Sequence, residues 1–453
     1  SLGGKPKMIK HFGRRVGVLL VAAGLFSTLA VTSAGASATL TGDLTFASSD
    51  AAASLTPAMG GSTFDLPFFS QAIQTFETQA ANLSGSNAPA SIPSYAGVGS
   101  TSGKKGVIAG TYAVGASDVP MGTTVNGTNL DSSLLTNADA AHTLTNYVQI
   151  PVVLGGVAMM YNLPMLNAKY KKYPVVLSSA ILASIYDGQI TSWNNSRICK
   201  LNPNIAIVKK NKKGKVFSRK CALPNLAITP VFRADGSGTS FIFSNYLNAT
   251  QGPNYKTSSG AEVYPSTTFN QGQLPSDAIG GIGNPGVATD ITSKVGAIGY
   301  VEYAFVLTAK ATGSPVSTAL IVNAKGQRVA ISPASVAADA AAFSSTPPTE
   351  GSNGEVQNFS IVNGNAAGAY PIAGFSWAIV RQDWNNLGTV GSVAASLNSE
   401  KLVAKFLDWC VQTKGGQVVA RNNGYVPLPS YLVTLAESQI ASMTYNKASL
   451  GLS

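Results

Sequence analysis

The run Thr229-Pro230-Val231-Phe232-Arg233-Ala234-Asp235-Gly236-Ser237-Gly238-Thr239-Ser240 constrains this chain more than any other stretch. An apolar, β-branched segment passes through a glycine-punctuated turn into a helix expected over Phe241 to Leu247. Ser237 or Thr239 can serve as the N-cap, because a hydroxyl there accepts from first-turn N–H groups that have no carbonyl partner inside the helix. Those donors and the helix macrodipole make the turn electropositive. Gly236 and Gly238 carry no Cβ, so a ligand can approach the backbone closely. Arg233 adds a permanent planar cation just before the turn. The combination suits an anion cradle. It also suits an ordinary strand–turn–helix connection with Arg233–Asp235 as a surface pair. It is not a P-loop, since G-x-x-x-x-G-K-[ST] is absent.

At 453 residues the chain is long enough for two or three cored domains. It is 45% hydrophobic but only 11% charged, so Ser, Thr, Asn and Gln must cover much of the surface. The formal net charge is +11. Lys5, Lys7, Lys10, Arg14 and Arg15 contribute five of these charges before residue 39, leaving 26 basic against 20 acidic groups, or +6. That mild bias favours an anionic ligand or surface without selecting one. The start reads as a secretory signal: a basic n-region, an apolar core from Val16 to about Val31, and Ala36-Ser37-Ala38 as the cleavage site. Ser1 to Lys7 precede Met8 and read as additional to that signal. No cysteine follows the expected cleavage site, so no lipid anchor is expected, and the destination is periplasmic or extracellular.

Cys199 and Cys221 bracket one segment and can close it in such an oxidising compartment. Cys410, at helical spacing with Phe406 and Trp409, reads as a buried thiol. After the signal the one histidine is His142, which argues against a zinc site or a histidine-dependent triad. Gly97-x-Gly99-x-x-x-Gly103 imitates a dinucleotide fingerprint but has one residue too many and lacks the acidic residue farther on.

Strand and helix patterns alternate along the chain, which gives an α/β class. Leu40 to Ala47 alternates as a strand, and the glycines at 60 and 61 break the chain before a helix over Pro67 to Thr78. Lys104 to Gly110 reads as a short helix, Val148 to Met160 as a buried strand and Val175 to Tyr186 as helix. Lys209 to Lys220 is a basic tract expected to be a solvated loop. Residues 250 to 286 read as loop, Gly296 to Val301 as strand, 333 to 343 as helix and Ala373 to Val380 as strand. Helices are expected over Lys401 to Gln412 and Ser430 to Met443.

The segment VFRADGSGTSFIFSNYL closely resembles the phosphate-binding proteins that feed phosphate ABC transporters. Gly61-Ser62-Thr63-Phe64, Gly97-Val98-Gly99-Ser100 and Gly115-Ala116-Ser117-Asp118-Val119-Pro120 resemble that family's ligand loops, in its order. Ile185 to Trp193, Gly296 to Tyr303 and Gly424 to Pro429 are similar to further family landmarks. The resemblance implies a two-lobed periplasmic-binding-protein fold of type II with the ligand cleft between the lobes. It implies lobe I over 39–160 plus 373–453 and lobe II over 161–372, with crossings near Tyr161 and Ile372 and the basic insertion at 199–221. The implied phosphate ligands are Thr63, Phe64 through its N–H, Ser100, Asp118, Arg233, Ser237, Gly238 through its N–H, and Thr239, with Asp235 supporting the arginine. The implied partners are inorganic phosphate and a membrane permease, with no nucleic acid, no cofactor, no metal and no catalysis, and a monomer is expected.

The residue chemistry agrees with this. Hydroxyls, turn N–H groups and one arginine can replace an anion's water. Asp118 is the odd member: a carboxylate repels an anion unless the ligand brings a proton to donate, as phosphate does and sulfate does not. Its alternative role is a turn carboxylate before Pro120. Two rival functions start from the same residues: a hydrolase using Ser100 or Ser237, and the same fold binding another oxyanion or serving as an adhesin.

Overall fold

The strand Tyr147–Tyr161 is buried at every position, as its nearly unbroken apolar sequence demands. It is the longest strand of a nine-stranded sheet formed by the described residues. That sheet belongs to a computed structural model that describes residues 56–83, 91–125, 128–135, 143–170, 172–252, 274–384, 389–390, 393–394 and 396–452. The expected signal over 1–38, the expected strand Leu40 to Ala47 and His142 lie outside the described residues.

Two long antiparallel strands, Tyr147–Tyr161 and Ala373–Arg381, form the centre of the sheet. On one side follow Val114–Ser117, Met59–Gly61 and Ala96–Gly97, parallel to one another. On the other side follow Ala297–Glu302, Thr229–Arg233 and Ile279–Gly281, also mutually parallel. The long strand therefore serves both wings. Residues up to Gly156 pair with Ala373–Arg381, and Val157 to Tyr161 pair with Ala297–Glu302. Its register slips where Ser376 faces Val153 and Trp377 faces Pro151, which leaves Val152 as the extra residue of a bulge. Proline has no N–H to give the ladder, so a bulge is where a mid-strand proline is tolerated.

Helices cover this sheet. Leu66–Leu83 buries Phe68, Phe69, Ile73 and Phe76. Phe76 packs edge-on against Phe406 and Trp409 of helix Leu397–Val411, with ring centroids 5.2 and 5.7 Å apart. The expected helices at 241–247, 333–343, 401–412 and 430–443 are present as Gly238–Gln251, Pro333–Ala341, Leu397–Val411 and Ser430–Ala441.

Four local readings are corrected. Gly60 and Gly61 lie in a strand rather than a break, because the wing packs too tightly there for side chains: a Cβ on Gly61 would stand 2.2 Å from the Ala116 carbonyl. The segment 175–186 divides into strand Val176–Leu177, which pairs with Leu320 and Ile321, and helix Ser179–Tyr186, capped by Ser178. Helix Gly283–Ser293 starts inside the expected loop, with Pro285 in its first turn, where no intrahelical N–H is needed. The basic tract is a hairpin rather than a loop, Ala206–Lys210 paired with Val216–Cys221, and it is solvent-exposed along its length.

The Cys199–Cys221 disulfide closes the base of that hairpin, and Cys410 is a buried free thiol. Alkylation of native, unreduced protein is expected to label no cysteine. Denaturant alone should expose only Cys410, and reduction should add both hairpin cysteines. Labelling of Cys199 or Cys221 before reduction would contradict the bridge.

Candidate functional site

The parallel strands of both wings end at one place, and the loops that follow them carry the conspicuous residues of the sequence. Carboxyl ends of parallel strands open a crevice because the chain there turns into helices whose N-termini face inward. Helices Ser100–Ile108, Gly238–Gln251, Gly283–Ser293 and Tyr303–Ala311 all begin at these loops. Ser237 is the N-cap of the second, its Oγ accepting from Ser240 N–H at 3.0 Å. Thr239 is not the cap; it lies one turn position inside the helix and projects toward Arg233.

Arg233 is buried to 1% exposure and is the electrostatic centre of the cluster. Its Nε donates to Asp235 Oδ1 at 2.6 Å and its Nη2 to Asp235 Oδ2 at 2.5 Å, a two-pronged pairing that fixes the guanidinium plane. Its Nη1 donates to Thr239 Oγ1 at 3.3 Å, and its own N–H donates to the Tyr300 hydroxyl at 3.1 Å. Burial pushes Tyr300 up to about 12, so it stays a neutral phenol that also hydrogen-bonds Ser240 Oγ at 2.7 Å. Asp235 Oδ1 further accepts from Gly283 N–H at 3.0 Å, which joins the arginine loop to the next helix of the same wing.

The two wings interlock across the crevice. Ser100 Oγ accepts from Gly238 N–H at 3.0 Å and from Asp118 N–H at 3.4 Å. Thr63 Oγ1 accepts from Asn284 N–H at 2.9 Å and Nδ2 at 3.1 Å, and the same Nδ2 reaches Thr239 Oγ1 at 3.1 Å. The glycines permit this approach. A Cβ on Gly238 would lie 2.5 Å from Asp118 Cβ, and one on Gly99, whose φ is +93°, would lie 2.4 Å from the Gly236 carbonyl.

All the candidate residues named from the sequence therefore meet in one buried cluster. Thr63, Phe64, Ser100, Asp118, Ser237 and Thr239 are each at most 2% exposed. Two N–H groups have partners of their own: Phe64 N–H donates to Ser62 Oγ at 2.9 Å, and Gly238 N–H donates to Ser100 as above. Asp118 Oδ1 accepts from Ser62 Oγ at 2.6 Å and lies 2.8 Å from Ser376 Oγ.

Asn284, Ser62, Asp65 and Ser376 join the cluster without having been singled out in the sequence. Asn284 is fully buried and spans the wings through its side-chain amide, while its Oδ1 accepts from Glu302 N–H at 2.9 Å. Its signal was available, because Gly283-Asn284-Pro285 places a proline where a first helical turn tolerates one. Ser376 gives no local signal, since it is a single hydroxyl in an apolar strand.

Comparison with known proteins bears on the family and the fold. Residues 46–414 match the family model of the PBP superfamily domain. The chain is 31% identical over 349 residues to the phosphate-binding protein PstS of Xylella fastidiosa, covering 77% of each. It is 30% identical over 395 residues to that of Pasteurella multocida, covering 87% of this chain and 92% of the relative. Among solved structures, the high affinity periplasmic phosphate-binding protein PfluDING, bound with phosphate, superposes with a TM-score of 0.58 at 19% identity, over 84% of this chain and 93% of that one. A phosphate-binding protein from Stenotrophomonas maltophilia gives 0.53 at 21% identity, with the same coverage.

Asn284→Ala removes the amide that holds Thr63 and Thr239 together. In titration with inorganic phosphate, the variant is expected to bind about tenfold more weakly, or about 1.4 kcal/mol. An affinity equal to wild type would show that the amide only packs the crevice.

Proposed function

This chain belongs to the PBP superfamily and, within it, to the PstS-type phosphate-binding proteins, and from that premise we propose how its crevice takes the ion. Its fold is the two-lobed α/β fold of periplasmic binding proteins. Its function is to bind inorganic phosphate, in keeping with phosphate delivery to an ABC transporter. The family comprises binding proteins, and the crevice of this chain is proposed to bind without catalysis. The finer reading follows the same logic: an exported monomer whose lobe I spans 39–160 plus 373–453 and whose lobe II spans 161–372, closing on phosphate and meeting a membrane permease.

One observation carries the site: a guanidinium buried to 1% is held flat by Asp235 among hydroxyls from both wings. Taking phosphate out of water costs tens of kcal/mol in the Born limit unless directed partners replace the solvent. Charge-assisted hydrogen bonds return about 1.5–3 kcal/mol each. Arg233, Thr63, Ser100, Ser237 and Thr239 are proposed to supply them. The N–H groups of Phe64 and Gly238 take part by exchanging their present acceptors, Ser62 and Ser100, for phosphate oxygens. Asp118 accepts the proton that phosphate retains near neutral pH. A fully ionised sulfate would set two acceptors face to face.

Arg233→Ala is expected to weaken phosphate binding by at least about 2 kcal/mol, because the variant also leaves Asp235 without its buried partner. Unchanged titration curves would place the phosphate site elsewhere.

Asp118→Asn replaces an acceptor by a group that can turn its NH₂ toward the anion. The phosphate-to-sulfate affinity ratio is expected to fall by about tenfold or more, or about 1.4 kcal/mol. Competition titration of both proteins at one pH is the check, and a constant ratio removes Asp118 as the discriminator.

A further inference from the structure

Behind Asp118 lies a second carboxyl group that the phosphate site described above does not use. Asp65 is fully buried at the start of helix Leu66–Leu83. Ser376 Oγ stands 2.7 Å from Asp65 Oδ2 and 2.8 Å from Asp118 Oδ1. A serine hydroxyl has one proton, and one proton cannot serve two short oxygen–oxygen contacts. One carboxyl group must therefore bring its own. Asp118 Oδ1 already accepts from Ser62 Oγ at 2.6 Å, which favours its ionised form. On its other side, Asp65 Oδ1 lies 3.1 Å from the Tyr95 hydroxyl, which also stands 2.9 Å from the Ser62 carbonyl. The titratable groups around Asp65 are Asp118, Tyr95 and Tyr425, and none of them is a cation. Burial first, and then the Asp118 charge, hold the Asp65 carboxyl well above the usual carboxylate range.

We infer that Asp65 is the proton-holding partner of Asp118, acting through Ser376 to keep the Asp118 carboxylate an acceptor and so to favour an oxyanion that still carries a proton. The chain of donors runs Asp65 Oδ2–H to Ser376 Oγ, then Ser376 O–H to Asp118 Oδ1. The β-bulge at Val152 is part of the device, since the register shift falls at Ser376, the residue that must reach both acids. Asp65 is a positioning residue and touches no ligand. The inference rests on the phosphate-site reading and adds to it the group that holds Asp118 in its working state.

The protonated acid and an asparagine amide both donate toward Ser376, so Asp65→Asn is expected to keep the phosphate-to-sulfate ratio within about threefold of wild type. Asp65→Leu fills the space without a donor and is expected to lower that ratio about tenfold or more. Ser376→Ala cuts the same chain from its middle and should do likewise, which covers a leucine variant that fails to fold.

Thermal unfolding reads proton retention separately. As pH rises above the ordinary aspartate value of about 3.9, the unfolded wild type releases a proton that the folded protein keeps, so wild-type stability falls through that window. Asp65→Asn has no such proton, so its Tm relative to wild type should rise as the pH climbs above that value. A gap that stays constant, an asparagine variant that loses discrimination, or a Ser376→Ala variant that keeps it would overturn the inference. Wild type that binds no phosphate would instead overturn the site reading itself.

Discussion

A guanidinium enclosed by protein has to recover the hydration it gives up, and the loops of this crevice are arranged around that requirement. The penalty for burying such an ion is several kcal/mol even after relaxation. Asp235 meets part of it through two parallel hydrogen bonds, and Thr239 takes a third N–H. Asp235 is itself steadied by Gly283 N–H. Helix Gly283–Ser293 thus begins where the arginine pair needs a donor, and its second residue, Asn284, reaches across to Thr63. A guanidinium held flat and a link between the wings arise from the same few contacts.

Close backbone approach is the second constraint. Hydroxyls from one wing can reach N–H groups of the other only if the loops nearly touch, so Gly99, Gly236 and Gly238 stand where any side chain would collide with the opposing loop. The long strand Tyr147–Tyr161 supplies the frame, because it is hydrogen-bonded into both wings and aligns their strand ends. On the proposed reading, recognition divides by charge: the arginine side attracts the anion, and the Asp118 side tests whether it carries a proton.

Much of this was legible in the residues. The almost continuous apolar run at 148–160 had the pattern of a buried strand, and of the two caps offered, Ser237 and Thr239, the structure uses Ser237. The candidate ligands came from the family resemblance of the loops that carry them, and the structure brings those loops together at the strand ends. What escaped had physical reasons. Gly60 and Gly61 look like chain breaks until Ala116 is seen to need their space. Helix Gly283–Ser293 was hidden by glycine and proline in its first turn, where neither one interrupts an intrahelical bond. The hairpin at 206–221 was masked by its lysines, since charge predicts exposure and says little about pairing. Asp65 and Ser376 are far apart in sequence, and only the sheet brings them to Asp118.

The crevice is proposed to bind an anion and to demand a proton from it. Isothermal titration of ligand-stripped wild-type protein with phosphate and then sulfate, at one neutral pH and ionic strength, tests that most directly. Saturable phosphate binding that sulfate at equal concentration does not displace is the predicted result. Equal affinity for the two ions, or no binding of phosphate, would contradict it.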